Sequence, residues 1–141
     1  MSTRSQIRFM KNKEDVVQIY RHSDGYPKAV IPDLYDFFMW YYSEPNSRKG
    51  EYPDYVAASF IYYEKKILSN YDEGYEKIGY GVENVGKIHG DEEYLYEVDL
   101  TDVKEPEEVK IRYSDSFESF ENAKWHPWTT IGKFMAKLST E

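Results

Sequence analysis

The spacing of apolar residues changes period twice along this chain, and that restricts its fold more than any single motif does. From Gln6 to Met10, Ile7 and Phe9 alternate with Arg8, the two-residue period of a strand. Asp15 to Arg21 (DVVQIYR) is β-branched and aromatic and reads as a second strand. The polar stretch Lys11–Glu14 between them has hairpin length, so the two are expected to pair antiparallel. The period then lengthens. Pro32-Asp33 has the chemistry of a helix start, and Leu34, Phe37, Phe38 and Tyr41 follow at i, i+3, i+4 and i+7. SEPNSRKGEYP interrupts this pattern. A second helix is predicted from Pro53-Asp54, with Val56, Ala57, Phe60, Ile61, Ile67 and Leu68 along one face.

From Lys77 the period returns to two. Ile78–Val85 reads as a strand, and Glu93–Leu100 as another that puts Tyr94, Tyr96, Val98 and Leu100 on one face. Val109, Ile111 and Tyr113 mark a further strand. Pro127 is expected to open a last helix carrying Ile131, Phe134, Met135 and Leu138. The order is ββααβββα. Short strands do not alternate with single helices, which argues against a doubly wound parallel sheet. The expectation is one α+β domain over 1–141, a mostly antiparallel sheet of about five strands with about three helices on one face.

Charge bears on partners. Eighteen Lys and Arg stand against 26 Asp and Glu, a formal −8, and the basic residues are scattered among acids. A nucleic-acid binder concentrates its cations to displace counterions from phosphates, so nucleic acid is not the expected partner. There is no Cys, which removes disulfides, thiolate nucleophiles and Cys-ligated zinc. No run of about 18 apolar residues occurs, and the first residues lack an apolar signal core, so the expected setting is soluble and cytoplasmic, without membrane contact. Aromatic residues make up 18%, with 15 Tyr, so the core must be built largely of rings, and spare Tyr surface suits interfaces. Abundant Glu and Lys with few Gln follow the bias of heat-adapted proteins.

No phosphate-cradling loop, dinucleotide fingerprint, HExxH, nucleophile elbow or EF-hand loop is present, and no cofactor is implied. What remains is a repeated H-x-D, as His22-Ser23-Asp24 and His89-Gly90-Asp91, each at a Gly-containing bend. Residues at i and i+2 of an extended segment project to one side, so two converging pairs would offer two imidazoles and two carboxylates to a metal, with Glu93 as a base. The competing reading is local. Asp24-Gly25 and Gly90-Asp91 are turn dipeptides, Asp bonding its own backbone and Gly taking positive φ. For a ligand other than a metal, Arg21, His22, Tyr26 and Glu93 are the candidate contacts, although an Arg at a strand end commonly braces the next loop. Trp125-His126-Pro127-Trp128 reads as a hydrophobic staple and core anchor for the last helix, with ligand stacking as the alternative.

Two elements carry a resemblance. Tyr20, Arg21, His22, Asp24, Gly25, Tyr26 and Pro27 form Y-R-H-x-D-G-Y-P, and Gly90, Asp91, Glu93, Tyr94, Leu95, Tyr96 and Val98 form G-D-x-E-Y-L-Y-x-V. The chain in this respect resembles a family of small uncharacterised prokaryotic, archaeal and viral proteins. That resemblance implies an archaeal or viral source and transfers no catalytic residue. The leading expectation is therefore a binding or interaction protein, self-association as a homodimer included. The alternatives are a small hydrolase or metal-dependent enzyme using His22, Asp24, His89 and Asp91, and an acidic decoy that imitates DNA.

Overall fold

A computed structural model describes residues 3–45, 47, 52–67 and 79–140. The first hairpin forms as its alternation predicts: β1 (Ser5–Lys11) pairs antiparallel with β2 (Asp15–Arg21), Phe9 opposite Val17. Helices α1 (Pro27–Ser43) and α2 (Pro53–Tyr62) follow, and a wider turn, Tyr63–Ile67, extends α2. Then come β3 (Tyr80–Glu83), β4 (Tyr94–Asp99), a 3-10 turn (Pro106–Glu108), β5 (Lys110–Ser114), β6 (Thr129–Thr130) and α3 (Ile131–Ser139). The sheet has six strands in the order β3-β2-β1-β4-β5-β6. All its pairings are antiparallel except β1 with β4, which run parallel. The fold is α+β with three helices, one strand richer than expected; the addition is the two-residue β6, too short to show a period.

Three boundaries differ from expectation. Helix α1 begins at Pro27 rather than Pro32, so Pro32 lies inside it. Proline at the first position costs nothing because its missing N–H would have no partner there. The interior Pro32 breaks one helical bond, and the extra turn gains burial of Val30 and Ile31 against the sheet. Helix α3 begins at Ile131 rather than Pro127, capped by the Thr130 hydroxyl, which accepts the Lys133 N–H at 3.2 Å. The third strand is shorter than Ile78–Val85; Lys77 and Ile78 lie outside the described residues, as do Leu68 and the side chain of Ile67 on the second helix.

The two faces of the sheet do different work. Ile7, Phe9, Ile19, Tyr96, Val98 and Ile111 point to one face and are buried under the helices with Leu34, Phe37, Phe38, Val56 and Phe60. Rings dominate this layer. Phe37 meets Phe60 edge-on at 5.4 Å and Tyr41 in a stack at 5.2 Å.

The opposite face is polar and is covered by two chain segments rather than a helix. Residues 84–93 cross it from edge strand β3 to central strand β4. There Gln6 and Gln18, both fully buried, donate to the Glu83 carboxylate (2.7 and 3.0 Å) and the Lys87 carbonyl (2.6 and 2.9 Å). Residues 115–128 cover the other half. The Arg8 guanidinium lies 3.7 Å from the centre of the Phe120 ring, and Arg112 sits between Trp125 and Trp128 at 4.3 and 4.6 Å while bonding Glu97. The WHPW stretch therefore clamps a sheet arginine instead of anchoring the core. Among the described residues no helix is long and apolar enough to cross a membrane.

Candidate functional site

Strand alternation sends Arg21 and its neighbours to opposite faces. Val17, Ile19 and Arg21 face the helices, and Gln18 and Tyr20 the other side. Arg21 is 6% exposed. Its Nη2 reaches Asp33 Oδ2 at 2.8 Å, its Nε donates to the Ser23 carbonyl at 2.9 Å, and Nη1 lies 3.6 Å from Glu64 Oε1. Tyr80 donates to the same Glu64 oxygen at 3.0 Å. Arg21 thus faces Asp33 and Glu64 rather than solvent, and ties β2 to α1 and to the turn after α2. These are the contacts of a bracing arginine.

Burial, followed by the Asp33 charge, pushes the Glu64 carboxyl up to about 7, against the opposing pull of Arg21. A carboxyl raised from 4.5 holds a proton in the folded state that the unfolded chain releases. Its contribution to stability is therefore full below about pH 4.5 and is lost as pH rises through 7. Glu64→Gln is expected to flatten this part of the profile: urea midpoints of parent and variant at pH 5 and pH 8 should converge for the variant, and equal slopes in both would contradict the assignment.

The two H-x-D stretches do not present themselves as extended pairs. Asp24 takes φ 53°, so His22 and Asp24 do not project side by side; positive φ falls on Asp24 and not on Gly25. His22 is exposed, and its N–H continues the ladder to the Gly79 carbonyl at 2.8 Å. Gly25 serves by closeness. A Cβ there would meet Ser5 at 2.8 Å and the Thr3 carbonyl at 2.9 Å. Its N–H donates to Thr3 O at 2.9 Å and its carbonyl accepts the Tyr96 hydroxyl at 2.6 Å.

The second stretch packs on Tyr20, two residues before the first, and its contacts are with Tyr20, Glu83 and Arg4 rather than with His22 or Asp24. The His89 ring stacks on Tyr20 at 4.1 Å and pairs through Nε2 with the Glu83 carboxylate. Asp91 accepts from the Tyr20 hydroxyl at 3.4 Å and lies 3.2 Å from Arg4 Nε. Glu92 turns back to accept the N–H groups of His89 and Gly90. The Glu93 side chain is exposed, and its N–H bonds the Arg4 carbonyl at 2.8 Å. These contacts hold the crossing segment to the sheet. Among the described residues no three His, Asp or Glu side chains are grouped to hold a metal.

Tyr26 is the candidate that opens onto a cavity. A groove of about 670 Å³ runs between the start of α1 and helix α3. Tyr94 and Tyr113, from neighbouring strands, line it on the sheet side. The His126 ring stacks on Tyr113 at 4.2 Å and 19°, its backbone N–H donates to the Tyr113 carbonyl at 2.9 Å, and Nε2 lies 3.8 Å from Asp115. Tyr26 (42% exposed) and Trp128 (37%) offer the most accessible rings. Trp128 is held from behind by Arg112, itself locked to Glu97.

Lys28, Lys133 and Lys137 also line the groove, with Asp115 as the only acid among the lining residues. Lys133 and Lys137, at i and i+4, share one face of α3. Among the described residues, none of the three lysines makes an ion pair with a carboxylate. The sequence points to Tyr26 as a ligand contact and to the stretch around His126 and Trp128 mainly as a staple, and it leaves the lysines unmarked. The signal available was the Lys133/Lys137 pair flanking Phe134 and Leu138, a basic edge on an apolar stripe.

No family model, curated protein or solved structure matches this chain. Fold and site together define a small α+β protein with a ring-lined, locally cationic groove.

Proposed function

We propose that the chain is a binding protein whose capture surface is the groove between α1 and α3. The observation carrying this reading is the coincidence, in one concavity of a net acidic molecule, of exposed rings with lysines that make no ion pair among the described residues. Ligand sites are concave, mostly apolar and furnished with a few polar groups that orient the guest. The ring surfaces are preset: Tyr113 and His126 by their stack, Trp128 by Arg112. A flat molecule with negative charge matches both features.

Anilinonaphthalene sulfonate, a flat aromatic anion, is the direct probe. Its fluorescence should rise with saturable, single-site behaviour on the native protein. Trp128→Ala combined with Lys133→Ala should weaken it by about tenfold or more, since base–aromatic stacking alone is worth roughly 1–3 kcal/mol per ring. Binding unchanged in the variant, with circular dichroism preserved, would exclude the groove.

Self-association is the second reading, supported by the exposed Tyr52, Tyr55 and Tyr62 on and beside α2. Light scattering should then give twice the chain mass at high micromolar concentration, with loss of the dimer in Tyr55→Ser/Tyr62→Ser. A monomer throughout would remove this reading without touching the groove.

A further inference from the structure

We infer that the groove receives a single nucleotide-like molecule, a flat heteroaromatic ring carrying a phosphate, rather than a polynucleotide; this rests on the groove being the capture surface. The first ground is size. About 670 Å³ exceeds what a lone phosphate or one phenyl ring fills and falls within the range of small-molecule sites.

The second ground is the pairing of chemistries. Tyr26 and Trp128 are exposed rings of the groove, and an aromatic side chain is a platform on which every base can stack. The lysines supply point charges suited to a terminal phosphate, which carries more than one negative charge at neutral pH. Lys133 and Lys137 stand one helical turn apart, so both can face the same phosphate. At the opposite polarity, Asp115 is an acceptor for an exocyclic amine or a sugar hydroxyl.

The third ground is what surrounds the groove. A polynucleotide needs cations along its whole track, because affinity grows with the number of phosphates neutralised. Here Lys28, Lys133 and Lys137 line the groove and Lys13 and Lys110 an adjoining cavity that shares Trp128 and Lys133 with it, while the chain as a whole carries a formal −8. A monomeric phosphate needs only the local lysines, whereas a longer strand would also meet the net negative charge of the chain.

The test is isothermal titration of the full chain with adenosine monophosphate, adenosine, inorganic phosphate and hexa-adenylate, beside the naphthalene sulfonate titration. Adenosine monophosphate should bind about tenfold or more tightly than adenosine or phosphate alone, and hexa-adenylate no better than the monomer. Lys133→Ala/Lys137→Ala should cost about tenfold for the monophosphate and little for adenosine. Trp128→Ala should weaken both ligands, and Trp128→Phe should restore most of the loss, which separates stacking from misfolding.

Adenosine binding as tightly as its monophosphate would overturn the phosphate assignment. Tighter binding of hexa-adenylate would replace the monomer with a strand. Binding of the naphthalene sulfonate without any nucleotide would end the nucleotide inference while keeping the groove, and binding of neither would end both.

Discussion

Gly25→Ala is expected to destabilise the protein by about 3 kcal/mol, at the upper end of what overpacking costs. The added methyl would sit 2.8 Å from Ser5 and 2.9 Å from the Thr3 carbonyl. Moving Gly25 away to relieve this would stretch two further contacts, its N–H to Thr3 O and the Tyr96 hydroxyl to its own carbonyl. Tyr96 is fully buried in the sheet, and its hydroxyl would lose the acceptor that justifies its burial. A calorimetric midpoint lowered by roughly 10 °C is the expected reading for a domain of this size. A drop under about 2 °C would show that the loop relaxes freely, and that Gly25 is there for turn geometry alone. Because the same loop carries Tyr26 to the groove, the variant should also weaken naphthalene sulfonate binding.

Arg21→Ala should cost about 3–5 kcal/mol, the penalty of leaving buried charge without its partner. Asp33 and Glu64 converge on this one guanidinium, and the side chains of Arg21 and Glu64 are largely buried. Adding Glu64→Gln to the variant should recover part of the loss, because an amide tolerates the site without a countercharge. The loss should also shrink at pH 5. With the Glu64 carboxyl raised to about 7, it is protonated there and needs its partner less. Urea unfolding of the four proteins of this cycle at pH 5 and pH 8 gives the coupling directly. Additive losses at both pH values would mean that Arg21 contributes packing and not charge.

What the sequence disclosed follows the range of the interactions concerned. The β1–β2 hairpin, the stripe Leu34–Phe37–Phe38–Tyr41 and the face of Tyr96 and Val98 are local periodicities, and each forms as read. Boundaries set by tertiary packing were not legible. Pro32 is tolerated within α1 because the burial of Val30 and Ile31 favours the additional turn. The 127–130 stretch stays extended because Thr129 and Thr130 pair with Ile111 and Lys110. The parallel pairing of β1 with β4 joins residues about ninety positions apart and leaves no trace in any window.

The site divides in the same way. In Y-R-H-S-D-G-Y-P, Arg21 braces, Tyr20 receives His89 and Asp91, and Gly25 packs on Ser5, while His22 and Asp24 stay exposed. Tyr26, one of the candidate ligand contacts, opens onto the groove. Its companions come from β4, β5, the segment before β6 and α3, brought together only by the sheet order.

The three tryptophans provide the most direct check on the groove as the capture surface. Trp128 lines it, Trp125 lies on the other side of the Arg112 guanidinium, and Trp40 packs among the helices against Tyr63. In a proton–nitrogen correlation spectrum each gives one indole N–H signal. Titration with the naphthalene sulfonate should shift the Trp128 signal first and most, leaving Trp40 in place. A shift of Trp40 with Trp128 unmoved would place the ligand on the helices and contradict the account.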